Sequence, residues 1–240
     1  TNAYGESEAG GFWGPELKQA GFEAIVVKGA STEPVYLWIK DGEVELRPAD
    51  HLWGRTTYEV QEAIRDELDD KKVRVLQIGI AGENKVRFAG LTNELRHFNG
   101  RNGMGAVMGS KKLRAIAVRG SMRYKAEAHD PEALSALGKK LARQVKDHPA
   151  SWSLQQTGTP VLVEPLHNHG MLPTRNFRQG SFDGMDGIKW ETYEEEIFTG
   201  NKSCYACAIR CKREVKVDGK PSPYGGPEFE TVGSFGSDCG

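Results

Sequence analysis

The stretch Asn99-Gly100-Arg101-Asn102-Gly103-Met104-Gly105-Ala106-Val107-Met108-Gly109-Ser110-Lys111 is the densest glycine segment of the chain. It lies between predicted strands at Val86–Leu91 and Leu113–Val118, and residues 99–110 are predicted to form a loop. Glycine lets backbone N–H groups approach an anionic ligand closely, and the neighbouring Arg and Lys supply positive charge. The Gly-Ser-Lys order differs from a Walker A loop, and the glycine spacing differs from a dinucleotide fingerprint. A phosphate-bearing cofactor site and a tight structural loop both remain open.

Charge and hydropathy restrict the classes of protein to consider. The 240 residues include 32 Lys and Arg against 33 Asp and Glu, a formal net charge of -1. Binding to nucleic acid or a membrane surface usually brings an excess of basic residues. Mean hydropathy is -0.55, no run approaches the ~20 apolar residues of a membrane span, and no signal-peptide pattern opens the chain. We therefore expect neither a nucleic-acid nor a membrane partner.

Two domains are predicted from the change in pattern along the chain. Strands predominate in residues 1–124, which are predicted to be α+β, whereas residues 125–240 are predicted to be mainly helical. The chain starts at Thr1 without Met and stops at Gly240, next to a cysteine. Natural termini tend to be polar tails, so we expect an internal piece of a longer protein.

Three local signals in the first domain are specific enough to place elements. Asp41-Gly42 lies between two β-rich runs and predicts a tight hairpin. Thr56 and Glu59 have the spacing of a capping box, which predicts a helix start. The apolar run Ala24–Val27 predicts a buried strand. In the second domain, Pro131 predicts a helix start and Pro149 the end of that helix.

The cysteines point to a metal centre. The first 203 residues contain none, and three of the four form a C-x2-C-x3-C run at Cys204, Cys207 and Cys211, followed by Cys239. This distribution differs from a secreted disulfide scaffold and favours a reducing, cytoplasmic location. Three thiolates in one short run, with a fourth from elsewhere, are typical of iron–sulfur clusters. A tetrahedral zinc site would need a second ligand pair, so a cluster is favoured over zinc.

Two further groups of polar residues are candidates for chemistry. His97 lies among Arg96 and Arg101 beside the glycine segment, a cationic surrounding that weakly favours anion binding. Glu228 and Glu230 follow a Gly-Gly-Pro turn. They are compatible with two roles, as partners of a helix dipole or as a general acid or base near a redox centre.

Several separated motifs together resemble the aldehyde:ferredoxin oxidoreductase family. They cover nearly the whole chain in the family's order, as GGFWGPELK at residues 10–18, AGEN at 81–84, GRNGMGAVMGSK at 100–111, LPTRNF at 172–177, CYACAIRC at 204–211 and GPEFE at 226–230. The resemblance implies an α+β N-terminal pterin-binding domain, with two β-sheets and helices, followed by the start of a mainly α-helical domain. It also implies a tungsten (or molybdenum) bis-pyranopterin and one [4Fe-4S] cluster as cofactors.

The resemblance also assigns site residues. The pterin-contacting positions it implies are Gly10, Gly11, Arg96, His97, Asn99, Gly100 and Arg101. It implies cluster ligands at Cys204, Cys207 and Cys211, a fourth ligand beyond residue 240, and a proton-accepting carboxylate at Glu230. The sequence departs from the family pattern at Glu8, where Asn is frequent, and at His97, where the family has Arg.

The implied reaction is the oxidation of small-molecule aldehydes to carboxylic acids. The implied acceptor is ferredoxin or another electron-transfer subunit, and a homodimer is a candidate assembly. Because the resemblance places the fourth cluster ligand and the leading strands outside this chain, it also implies little or no activity of the piece alone. One alternative keeps the cofactor and reduces thioester-linked aromatic acids, as in benzoyl-CoA reductase. Another is a non-catalytic zinc-binding interaction module, which would leave the glycine segments unexplained.

Overall fold

The computed structural model describes residues 4–122 and 128–240. The chain divides into two compact units, Thr1–Pro131 and Glu132–Gly240. Within the described ranges, no helix has the length and apolar character needed to cross a membrane.

Unit 1 is built on a mixed sheet with helices. In its described part, six strands are ordered β2-β1-β6-β3-β4-β5, and only the β1–β6 pair is parallel. The strands are β1 Val35–Lys40, β2 Glu43–Pro48, β3 Arg74–Gln77, β4 Leu91–Asn93, β5 His97–Asn99 and β6 Leu113–Arg119. The helices are α1 Trp13–Gln19, α2 Thr57–Glu67, α3 Ile80–Glu83 and α4 Met104–Ser110, with a 3-10 turn at Asp50–Leu52.

The predicted hairpin turn at Asp41-Gly42 and the predicted capping box at Thr56 are both confirmed. The turn residues Asp41 and Gly42 have φ of 45° and 90°, which matches a two-residue turn with positive φ at both positions. The Thr56 side chain accepts a hydrogen bond from the Glu59 backbone N–H, and the Glu59 carboxylate accepts one from the Thr56 N–H at 2.9 Å. These contacts complete the capping box that begins α2.

The sheet of unit 1 is covered on both faces. On one face, Val60 and Ile64 of α2 pack with Tyr36, Val73 and Val75. On the other face, α1 and α4 contribute to a second cluster whose buried members are Leu17, Ala20, Ile39, Ile78, Met108, Leu113, Ile116 and Val118. The central strand β6 is buried along nearly its whole length, as expected for a strand between two covered faces.

Three element predictions in unit 1 are wrong. In the described structure Ala24–Val27 pairs with no strand of the sheet and forms none itself, and Val26 is 78% exposed. Most of Val86–Leu91 is irregular, and β4 begins only at Leu91. Residues 99–110 are not a loop throughout, since Asn99 ends β5 and Met104–Ser110 is helix α4.

Unit 2 combines helices with a small antiparallel sheet. Its helices are α5 Pro131–Gln144, which begins at the boundary, α6 Pro149–Thr157, α7 Val163–Asn168, α8 Trp190–Glu196 and α9 Phe229–Val232. The strands β7 Phe198–Lys202, β8 Lys212–Val217 and β9 Lys220–Pro221 are ordered β7-β8-β9. Pro149 occupies the first turn of α6 rather than ending α5. The α+β class predicted for the chain is confirmed.

Candidate functional site

In unit 1, the N-terminal segment lies along the turn and strand that follow β4. The Nδ2 of Asn93 donates to the carbonyl of Gly10 at 3.2 Å, and the Nδ2 of Asn99 donates to the carbonyl of Ser7 at 2.6 Å. The backbone N–H of Arg101 donates to Ser7 Oγ at 3.1 Å. The structure therefore brings together the two segments, around residues 10 and 97–101, that were predicted separately as pterin contacts.

Gly11 is required by this close approach. Its φ is +102°, and a Cβ there would lie 2.1 Å from Asn93 Oδ1, 2.6 Å from Glu94 Oε2 and 2.9 Å from His97 Cδ2. Any larger residue would push the segment away from β5. The absence of a side chain at Gly11 thus serves the packing of the two segments.

The residues around Gly100 are the ones open to a ligand. His97 is 3% exposed, and Arg96 is half-buried, whereas Gly100 and Arg101 are exposed. Apart from Gly100 itself and its two chain neighbours, no heavy atom of the described residues lies within 4 Å of the position that a Gly100 Cβ would take. An uncovered backbone beside a guanidinium suits an anionic group such as a phosphate, so this part of unit 1 fits the phosphate end of a pterin cofactor.

Glu94 is a half-buried acid that no sequence motif marks. Its Oε2 accepts a hydrogen bond from the Phe12 N–H at 2.9 Å, and its Oε1 is buried with no hydrogen-bond partner among the described residues. Burial raises the pKa of Glu94, against the lowering effects of the Phe12 N–H and the Arg74 charge. Glu94 and Leu95 have φ of 48° and 64°, which is uncommon for such residues, so no turn signature marked this site.

In unit 2, the cysteine run occupies the connection between β7 and β8. Cys204, Cys207 and Cys211 are free thiols and half-buried, and the Cys207 N–H donates to the Cys204 carbonyl at 3.2 Å. Ala206 and Arg210 have positive φ, 54° and 56°. The run is therefore a loop in which two residues have the left-handed backbone conformation, and it is not part of a helix.

The three thiols are close enough to affect each other electrostatically. Burial raises the pKa of Cys211, and the charges of Glu228, Cys204 and Cys207 raise it further, while Lys212 lowers it. In the described residues, no group of three or more His, Cys, Asp or Glu side chains is arranged to hold a single metal ion. A four-iron cluster spaces its thiolates more widely than one ion does, and an all-thiol donor set suits it. The donor chemistry of the run thus fits a cluster.

The carboxylates after the Gly-Gly-Pro turn differ in their surroundings. Glu230 lies in α9 and is exposed. Glu228 is half-buried, and its Oε2 lies 2.6 Å from the Nζ of Lys212, next to Cys211. The Gly226 N–H also donates to the Arg213 carbonyl at 2.9 Å. It is therefore Glu228 that the structure connects to the cysteine run, while the role of Glu230 stays a prediction.

We expect Asn99→Ala to loosen the contact between the two segments of unit 1. The variant loses the hydrogen bond to the Ser7 carbonyl, and one such bond contributes about 1 kcal/mol. Hydrogen exchange at the Arg101 amide, which donates to Ser7, should rise about fivefold. Asn84→Ala, at an exposed position of the same unit, is the matched control and should leave that rate unchanged. Equal rates in the two variants would contradict the prediction.

Comparison with known proteins gives two family matches. Residues 1–120 match the family model "Aldehyde ferredoxin oxidoreductase, N-terminal domain". Residues 136–240 match "Aldehyde ferredoxin oxidoreductase, domains 2 & 3". Together the two matches cover most of the chain.

Individual relatives agree with these matches. The chain is 41% identical over 236 residues to the tungsten-containing aldehyde ferredoxin oxidoreductase of Pyrococcus abyssi, covering 98% of this chain and 38% of the relative. The corresponding protein of Thermococcus kodakarensis is 41% identical over 234 residues, with the same two shares. Among solved structures, the active-site complex BamBC of benzoyl coenzyme A reductase with 1,5 dienoyl-CoA matches with a TM-score of 0.69 and 30% identity. That match covers 90% of this chain and 34% of the other, so the chain spans little more than a third of the length of these relatives.

Proposed function

Because the chain belongs to the aldehyde ferredoxin oxidoreductase family, we propose that it is the cofactor-binding part of a tungsten–pterin, iron–sulfur oxidoreductase. The proposed reaction oxidises aldehydes to carboxylic acids, with ferredoxin or another electron-transfer subunit as acceptor. The observation that carries the proposal is 41% identity, over 98% of the chain, to a tungsten-containing relative of that name. A cytoplasmic location and a homodimer belong to the same proposal.

The residues of unit 1 have the chemistry to bind a phosphorylated pterin. The open backbone at Gly100 and the exposed guanidinium of Arg101 would bind its anionic phosphate by charge-assisted hydrogen bonds. Gly10 and Gly11, with Arg96, His97 and Asn99, would form the remaining contacts. Asn93 and Glu94 hold the glycine pair against β5, and therefore act on the cofactor indirectly.

The reaction consumes one aldehyde and one water and yields one carboxylic acid, two protons and two electrons. When bound, the tungsten–pterin supplies the two-electron chemistry at the aldehyde carbon. Glu230 is the group of this chain proposed to accept a proton that the hydrated aldehyde releases. Cys204, Cys207 and Cys211 would hold the cluster that carries single electrons outward.

A second candidate function has support from one structural match. The benzoyl coenzyme A reductase complex aligns with 90% of the chain, and that complex holds a dienoyl thioester by its description. On this alternative, the same scaffold would act on a thioester-linked ring instead of an aldehyde. The two candidates share the cofactors and differ in substrate.

The experiment that separates them uses the full-length gene product carrying this chain, purified anaerobically from cells grown with tungstate. A viologen dye serves as electron acceptor, and short aliphatic and aromatic aldehydes are compared with 1,5-dienoyl-CoA. The proposal predicts dye reduction with aldehydes only. Dye reduction with the dienoyl thioester and not with any aldehyde would establish the alternative, and turnover of neither by tungsten-loaded protein would contradict both.

The proposed cluster site also predicts a visible absorption that depends on the cysteine run. Cys207→Ser removes one of the three clustered thiols, so anaerobically purified protein should lose most of the absorption near about 400 nm that iron–sulfur clusters give. Cys239→Ser is the matched control because Cys239 is exposed and outside the run, and it should keep the full absorption. Equal absorption in the two variants would exclude the run as the cluster site, and a colourless protein that binds zinc would support the interaction-module alternative.

A further inference from the structure

Arg213 is a buried cation beside the cysteine run. It lies in β8, two residues after Cys211, and is 2% exposed. Its guanidinium carbon lies 5.7 Å from the ring centroid of Trp190 and 5.6 Å from that of Phe198. These two rings and Tyr193 belong to the apolar core of unit 2, so the charge is held in a poorly solvated position.

The partners of this guanidinium are all neutral oxygens. Nε donates to the carbonyl of Cys211 at 3.3 Å, and Nη2 donates to that of Arg210 at 3.2 Å. Other donations reach the carbonyls of Leu154, Gln155 and Gln156 at 3.0, 3.1 and 3.1 Å, and the side-chain oxygen of Asn201. Arg213 thus joins the last turn of α6, strand β7 and the end of the cysteine loop.

The charge of Arg213 is balanced only at a distance, since the carboxylates of Glu228 and Glu194 act on it from beyond ion-pair range. Within the part of the chain that the structure describes, no carboxylate lies at ion-pair distance from Arg213. A buried charge without a counter-charge is costly. An anionic centre on the neighbouring thiols would remove most of that cost.

We propose that Arg213 positions the cysteine loop and is the fixed counter-charge of the anionic cluster bound there, so that it raises the reduction potential of that cluster. This inference rests on the proposed iron–sulfur centre and adds a residue that the motif does not contain. The bonds to the Cys211 and Arg210 carbonyls hold the loop in shape. The positive charge favours the reduced state because one-electron reduction adds one negative charge to the cluster.

The size of the effect follows from Coulomb's law. Two unit charges some 10 Å apart, at an effective dielectric constant of about 20, change an equilibrium constant by roughly tenfold. For the one-electron reduction of a cluster, a tenfold change corresponds to a shift of about 59 mV. An exposed charge at a similar place along the chain would have a smaller effect, because water and salt screen it.

The test compares four forms of the full-length gene product, purified anaerobically. Arg213→Gln removes the charge, and Arg213→Lys keeps the charge but removes the planar fork that reaches several carbonyls. Arg210→Gln is the matched control, because it makes the same charge change next to Cys211 at an exposed position. Each protein is titrated with a reductant under electron paramagnetic resonance, and its loss of iron to a chelator is timed. Circular dichroism verifies folding.

The proposal predicts that Arg213→Gln lowers the equilibrium constant for one-electron reduction of the cluster about tenfold, while Arg210→Gln changes this constant less than threefold. Arg213→Lys should keep the potential close to that of the wild type but lose iron several times faster. A folded Arg213→Gln protein with the wild-type potential overturns the counter-charge. An Arg213→Lys protein that retains iron as long as the wild type overturns the positioning role. This second result can be obtained even if the Arg213→Gln protein does not fold. Wild-type protein without iron would instead overturn the proposed function.

Discussion

Gly109→Ala is expected to destabilise unit 1 strongly. A Cβ at this position would lie 1.9 Å from the carbonyl oxygen of Gly82 and 2.7 Å from its carbonyl carbon. Gly109 lies in α4 and Gly82 in α3, so the clash is between two helix backbones and no side-chain rotation can relieve it. We expect a loss of about 3 kcal/mol or more, at the upper end of overpacking effects.

The matched control for this change is Gly138→Ala. Gly138 lies within helix α5, and its φ is not positive. Beyond the neighbouring backbone of its own helix, no described atom lies within 4 Å of the position that its Cβ would take. Because glycine is unfavourable in a helix interior, this variant should gain about 0.5–1 kcal/mol. Urea titration of both variants by circular dichroism gives the comparison. A Gly109→Ala protein as stable as the wild type would show that α3 and α4 do not pack at this distance.

This contact changes the interpretation of the glycine-rich stretch. A Cβ at Gly103 or Gly105 would also meet backbone carbonyl oxygens, those of Arg87 at 2.0 Å and Gly90 at 2.4 Å. Most glycines of the stretch therefore allow the α4 region to pack closely against neighbouring backbone. This is the structural role that the sequence left open as an alternative to phosphate binding. Gly100 alone among these four has open space, so the phosphate-binding hypothesis is now confined to the beginning of the stretch.

The second large effect is expected for Glu83→Gln. The side chains of Arg114 and Glu83 are 0% and 3% exposed, and Arg114 Nε lies 2.7 Å from Glu83 Oε1. The geometry of this contact is not that of a hydrogen bond, and neither atom has a hydrogen-bond partner elsewhere in residues 4–122 and 128–240. Glu83 Oε2 also accepts the Gly54 N–H at 2.8 Å. The variant retains the shape of the side chain but leaves a buried guanidinium without its counter-charge, which costs about 3 kcal/mol.

The pKa of Arg114 indicates how far this site is removed from water. Burial lowers it to about 10, although the charge of Glu83 acts to raise it. Glu45→Gln is the matched control, since Glu45 pairs with Arg47 at 2.8 Å while its own side chain is 56% exposed. Such surface pairs contribute at most about 1 kcal/mol. If the two variants have the same urea midpoint, the buried pair is not a main source of stability.

Local chemistry explains which elements were predictable. The Asp41-Gly42 turn and the Thr56 cap are determined by residues that are adjacent or three apart. The apolar run at Ala24–Val27 was misleading because period and composition do not say whether a neighbouring strand is present. The turn at Glu94 and Leu95 could not be predicted, because neither residue type favours a positive φ and the Glu94 contact with the Phe12 N–H joins residues 82 positions apart.

The same distinction applies to the candidate site. The spacing of Cys204, Cys207 and Cys211 is a short-range signal and was recognised directly. The contact between Ser7 and Asn99 joins residues 92 positions apart, which no local pattern contains. Arg213 is one arginine among many in the sequence, and only its burial and its carbonyl partners distinguish it.

Metal analysis of the full-length gene product, purified anaerobically from cells grown with tungstate, tests the central proposal most directly. The account predicts tungsten and iron together, in a ratio of about 1:4, as one metal–pterin centre and one four-iron cluster require. Cys207→Ser should lower the iron and leave the tungsten largely in place, because the two centres have separate ligands. Protein that contains zinc, or neither tungsten nor iron, would contradict the account.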